Sequence, residues 1–143
     1  PNFAVAVYVL AHLVGTAARL LADTDAEIVE LHHAAKRDAP SGTALKLAEA
    51  IAAARGVDLA KAMVSTRSGD TGARPAGAIG VQALRGGDNP GEHTVFFLGR
   101  GERLELTHRA ITRDHFAAGA MRAARWIAGK PAGLYGMEQV LGL

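Results

Sequence analysis

Two histidines and a lysine, His32, His33 and Lys36, close an apolar run, and the turn Pro40-Ser41-Gly42-Thr43 follows a few residues on. An imidazole changes charge near neutral pH, with an ordinary pKa of ~6.5, and a nearby ammonium biases it toward its neutral form while keeping positive charge in the site. Such a pair suits proton donation to an anionic substrate. The turn supplies a complement, because a helix N-terminus presents unpaired N–H groups with positive dipole character, and Gly42 lets an anion approach the backbone. Taken alone the turn also reads as an ordinary capped helix; with the cationic cluster just upstream, a carboxylate or phosphate site is the better reading.

Arg113, in the loop before the last helix, is a candidate second anion clamp through its planar fork, with a solvated loop arginine as the alternative. For His12, His93, His108 and His115 the reading is a core or surface histidine satisfied in place. A metal centre is not expected. His32 and His33 are adjacent, so on a strand they point to opposite faces, and recruiting His93, His108 and Glu30 has no helical His-x-x-x-His or other ligand spacing behind it.

The elements that must position these groups follow from periodicity. Residues 4–22 are apolar on nearly every face until Arg19, which predicts a helix buried on several sides. Residues 25–33, with Ile28 and Val29 in an apolar run, predict a strand that ends at the histidines. From Thr43 onward, Ala44, Leu47, Ala48 and Ile51 follow helical spacing, with Ser41 as N-cap and Gly56 as stop. Residues 57–77 lose the pattern and read as a long surface loop. Strands follow at 78–85, 92–99 and 102–111, the last two joined by a tight hairpin at Gly99-Arg100-Gly101. A final helix at 115–128 carries Phe116, Ala120, Ala123 and Ile127 on one stripe and stops at Gly129. The fold class is α+β: about four strands, at first sight antiparallel, with helices packed on one face. Sheet edges and the apolar first helix predict self-association through the sheet, closed by symmetry.

The chain has 143 residues, 49% of them hydrophobic, enough for one domain with a sizeable core. A net charge of +2 does not suggest a nucleic-acid partner. The first segment, interrupted by His12 and Arg19, reads as a buried or interface helix rather than a membrane span or signal peptide. The absence of cysteine excludes a disulfide framework, a thiolate zinc site and a cysteine nucleophile, and a cytoplasmic location is the default expectation.

The segment ELHHAAKRDAPSGTAL, residues 30–45, resembles the E-x-H-H-x-x-K-x-D-A-P-S-G-T-A motif of the 4-hydroxy-tetrahydrodipicolinate (dihydrodipicolinate) reductases, nicotinamide-dependent enzymes of the diaminopimelate route to lysine. PNFAV at the start, LRGGDNPGEHTVFF and GERLELTHRA in the strands, and GKPAGLYGMEQVLGL at the end extend the resemblance over almost the whole chain. It implies a mixed sheet with helices on one face, and a homotetramer assembled through the sheets. It also implies that His32 is the general acid/base, Lys36 its partner proton donor and His33 a substrate contact, with Gly42 and Thr43 binding a substrate carboxylate through their N–H groups and Arg113 nearby. TRDHFA departs from the family's usual residues beside that arginine, which bears on how Arg113 is oriented.

Pro1, Asn2 and Phe3 match the family's hinge segment at the nicotinamide end of NADPH or NADH. That family opens with a Rossmann-type domain, and no strand followed by G-x-G-x-x-G opens this sequence. The chain is therefore expected to be the second domain: residues 1–130 for substrate binding and oligomerisation, and 131–143 a tail that packs on the dinucleotide domain and is loose without it. Two functions follow from the resemblance. The parent protein reduces a cyclic imine diacid; the isolated chain is alternatively a non-catalytic substrate-binding and tetramerisation module. A histidine-metal hydrolase is a third reading, which bound divalent metal would mark.

Overall fold

The computed structural model describes residues 2–143, so the cofactor contact expected at Pro1 lies outside the described residues. Helix α1 (Val5–Leu20) leads into strand β1 (Asp25–His32), which is followed by α2 (Gly42–Arg55), a short α3 (Leu59–Ala62) and β2 (Met63–Val64). Strands β3 (Ile79–Arg85), β4 (Glu92–Leu98) and β5 (Arg103–Arg109) come next, and α4 (Asp114–Ile127) and α5 (Met137–Leu141) complete the chain.

The sheet has five strands in the order β2-β3-β1-β4-β5. It is mixed: β1 and β2 each run parallel to β3, while β4 runs antiparallel to both β1 and β5. The antiparallel first reading of the pattern is thus corrected on one side of β1. A parallel neighbour needs a long crossover, and α2 lies in the connection from β1 to β3. Strand β2 and helix α3 fall inside the stretch read as a loop. They are two and four residues long, too short to imprint a period.

Strict alternation along β1 sends Ala26, Ile28, Glu30 and His32 to the covered face, and Asp25, Glu27, Val29 and Leu31 to the other. On the covered face Ile28, Ile79, Val81, Val95 and Phe97 meet Leu10 and Val14 of α1 and Leu47 and Ile51 of α2. Each of the larger side chains contributes about 2–3 kcal/mol by leaving water. Helix α2 starts at Ser41, whose Oγ accepts the Ala44 N–H at 3.2 Å, and stops at Gly56 in the left-handed conformation, both as the sequence indicates. Helix α1 is less enclosed than its composition suggests, since Val9, Leu13 and Leu20 are exposed.

Two features bear on rigidity. The remaining loop after β2 is fastened to the sheet. Arg67 forks onto Glu27 at 2.8 and 2.7 Å, and Arg74 bonds Glu27, Asp25 and the carbonyls of Ala26 and Ala78. The closing segment, expected to be loose, forms α5, which buries Met137 and pairs Glu138 with Lys46 of α2 at 2.6 Å.

Candidate functional site

The site is built where β1 ends under the start of α2. Because Glu30 and His32 lie two apart on β1, both face inward, and the registers bring His93 of β4 opposite Glu30 and Arg85 of β3 opposite His32. The result is a buried polar cluster at the rim of an apolar core. Glu30 has no exposed surface, and His32, Ser41 and His93 are buried too.

The Glu30 carboxylate is fully engaged. Arg85 donates to both of its oxygens at 3.0 Å, the Ser41 N–H donates at 3.0 Å, and Nδ1 of His32 lies in hydrogen-bond contact with Oε2. Burial alone would raise the pKa of Glu30, but the guanidinium, the N–H and the imidazole outweigh it and hold the carboxyl below its ordinary range. Burial also acts on His32, lowering its pKa; Glu30 opposes this, and the charges of Lys36 and Arg85 reinforce it. The His93 ring stands edge-on to that of His32 with centroids 5.1 Å apart. Ser41 Oγ, already accepting from Ala44, lies in hydrogen-bond contact with Nε2 of His93 at 3.0 Å, and burial pushes the His93 pKa down to about 4.

Glu30, His32 and His93 bring three donor atoms within 4.8 Å of one another, close enough for a metal ion. The donor set does not fit one. A cation there would have to displace a guanidinium held by two hydrogen bonds, and would take the carboxylate lone pairs that Ser41 and His32 now use.

Around this cluster the remaining groups spread toward solvent. Strand β1 ends at His32, where the His33 N–H bonds the Asn89 carbonyl at 2.9 Å, so the two histidines occupy different environments. Nε2 of His33 lies 3.5 Å from Nη2 of Arg113, joining two residues 80 apart in the chain. Lys36 is largely covered and its Nζ meets Oδ1 of the exposed Asp38 at 2.7 Å. At the start of α2, Gly42 is exposed and Thr43 partly so, and among the described residues neither N–H has a protein acceptor. Asn2 reaches this corner, its Nδ2 lying 3.4 Å from Thr43 Oγ1. Phe3 is half exposed and its backbone crosses α4 at Gly119.

The structure therefore brings His33 to Arg113 and Asn2 to Thr43, and links His32 to the start of α2 through Glu30 and Ser41. Sequence reasoning missed Arg85 and the roles of Glu30 and His93, and for Ser41 it found the helix cap but not the contacts with Glu30 and His93. For Glu30 a signal existed, the i, i+2 spacing to His32 on one strand face; Arg85 and His93 are joined to the cluster only by strand register. A cleft of about 820 Å³ between α1 and α4, lined by Val9, His108, Ile111, His115 and Arg122, touches none of the residues given a catalytic or binding role from sequence.

A family model described as "Dihydrodipicolinate reductase, C-terminus" matches residues 6–141. The 4-hydroxy-tetrahydrodipicolinate reductase of Anaeromyxobacter sp. (strain Fw109-5) is 62% identical over all of this chain and 54% of its own length. The enzyme of the same name from Geobacter sulfurreducens is 51% identical, again over all of this chain and 54% of its own length. The chain thus spans about half the length of the curated relatives it matches. A solved dipicolinate-bound dihydrodipicolinate reductase from Paenisporosarcina sp. TG-14 superposes with a TM-score of 0.73 at 27% identity, covering 97% of this chain and 52% of that one.

Proposed function

The chain belongs to the family of dihydrodipicolinate reductase C-terminal domains, and from that footing we propose that it is the substrate-binding and proton-supplying half of a 4-hydroxy-tetrahydrodipicolinate reductase in lysine and diaminopimelate biosynthesis. The observation that carries the reading is the exposed start of α2, with two free N–H groups, joined to His32 through Ser41 and Glu30.

A cyclic imine diacid has two carboxylates to hold and one ring to reduce. One carboxylate takes the Gly42 and Thr43 N–H groups, supported by the positive end of the α2 dipole. Arg113, which lies against His33, supplies further donors. NADPH or NADH, when bound, provides the hydride; the reading gives Asn2 and Phe3 the nicotinamide end, and the approach of Asn2 to Thr43 supports it. With the 4-hydroxyl lost as water to leave a ring C=C, reduction adds a hydride at one of its carbons and a proton at the other, and the proton comes from His32 with Lys36 as its partner donor. The lysine's positive charge also favours the substrate's carboxylates and the electron density that develops during transfer. Association through the sheets into a homotetramer completes the proposal.

Dipicolinate is the probe for the binding half of this reading. Added to the isotopically labelled chain, it is expected to shift the amide signals of Gly42 and Thr43, and Thr43→Pro, tolerated in the first helical turn, is expected to abolish the response by removing one donor. Shifts confined to residues remote from α2 would place the site elsewhere.

A further inference from the structure

We propose that Glu30 is the positioning residue of the His32 proton donor, fixing its tautomer so that proton exchange is confined to Nε2, and that Gly91 keeps that nitrogen accessible. The proposal deepens the reductase reading and rests on it for the role of His32.

An ionised carboxylate only accepts hydrogen bonds, so the ring nitrogen facing Glu30 must carry its hydrogen. That nitrogen is Nδ1. Neutral His32 therefore keeps its lone pair on Nε2, and the proton that protonated His32 gives up leaves from Nε2, because Nδ1–H stays engaged with Glu30. Glu30 cannot turn away to release the ring, since Arg85 grips both its oxygens and the Ser41 N–H holds one of them. A carboxylate with no exposed surface is costly to bury even when paired, and an apolar residue would pack the same strand position more cheaply. The arrangement makes sense as a device acting on His32.

Gly91 completes it. A Cβ built at Gly91 would stand 2.8 Å from Nε2 of His32, so any side chain would lie on the one nitrogen that Glu30 leaves free. The backbone there has φ +147°, a conformation that glycine adopts readily and other residues resist. The charged and titratable groups bearing on the ring come from every side: Glu30 on its own strand, Arg85 on β3, His93 on β4 and Lys36 in the turn that follows.

The test reads the ring directly, by long-range proton–nitrogen correlation spectra of the labelled chain across pH and without substrate. Its failure is therefore separate from a failure of dipicolinate to bind. In the parent chain His32 is expected to carry hydrogen on Nδ1 and a bare Nε2 at neutral pH. Glu30→Gln should lower the His32 pKa by about 1 or more, because the carboxylate is gone while the cations of Arg85 and Lys36 remain. Arg85→Gln should do the opposite, raising the pKa with the Nδ1–H tautomer retained. A purely structural role would not give opposite signs from the two ends of one ion pair. If Glu30→Gln does not fold, the parent tautomer and Arg85→Gln still decide the matter. Hydrogen on Nε2 in the parent chain, or a His32 pKa that Arg85→Gln lowers or leaves unmoved, would overturn the assignment.

Discussion

The carbonyl oxygen of Phe3 occupies the space a side chain would need at Gly119: it lies 1.7 Å from the ideal Cβ position. Gly119 is also the one residue of α4 that is fully buried among those described. The segment leading into α1 is thus seated on α4 through an absent side chain, and the same segment carries Asn2 to Thr43.

Gly119→Ala should therefore do harm although alanine is the better helix former. Displacing a backbone to admit one methyl group costs about 1–3 kcal/mol in a packed site, against the ~1 kcal/mol of helix propensity gained. Urea unfolding is expected to show a net loss, with amide shifts at Asn2, Phe3 and Thr43. Unchanged or increased stability would mean that the segment yields freely.

Ser41 serves two partners, capping α2 at Ala44 and satisfying Nε2 of His93. Ser41→Ala removes a cap worth about 1 kcal/mol and strands a buried ring nitrogen at a cost of about 1–3 kcal/mol more. The expected total of roughly 2–4 kcal/mol should show in the urea midpoint. A loss below about 1 kcal/mol, the value of the cap alone, would show that the His93 contact adds nothing.

The His93 pKa of about 4 makes stability depend on pH in a definite direction. Its unfolded value is near 6.5, so between those limits the unfolded chain binds the extra proton. The stability contribution of neutral His93 is complete above about pH 6.5 and is lost as pH falls toward 4. Between pH 7.5 and 5.0 that group alone removes on the order of 2 kcal/mol. His32 and His108, both lowered chiefly by burial, act in the same sense. His93→Gln should flatten the dependence relative to the parent chain in denaturant melts at the two pH values; an equally steep loss in the variant would assign it to other groups.

The sequence reading succeeded where local chemistry decides and failed where register does. Ser41 and Gly56 bound α2 as their types indicate, and the apolar run around Ile28 and Val29 marked β1 as a strand. Helix α4 was legible as an element, yet its stripe of Phe116, Ala120, Ala123 and Ile127 is only partly covered, and Ile127 is exposed. Periodicity says which residues share a face; it does not say what meets that face. The buried network around Glu30 joins residues 11 and 55 positions away. No local pattern announces a pairing that depends on β1 lying between β3 and β4. His32, His33 and Lys36 were found because they are close in sequence, whereas the Arg113–His33 approach became visible only in the fold.

The central claim is that His32 and Lys36 supply protons in a reductase whose substrate sits at the start of α2. The direct measurement joins this chain to the part of the Anaeromyxobacter sp. (strain Fw109-5) relative that it does not span, the two being 62% identical where they match, and follows NADPH and NADH oxidation with 4-hydroxy-tetrahydrodipicolinate. The parent chimera should turn over, and His32→Gln and Lys36→Ala should each lower kcat by ~10²-fold or more while the amide spectrum of the domain is preserved. Near-parental turnover in both folded variants would contradict the account.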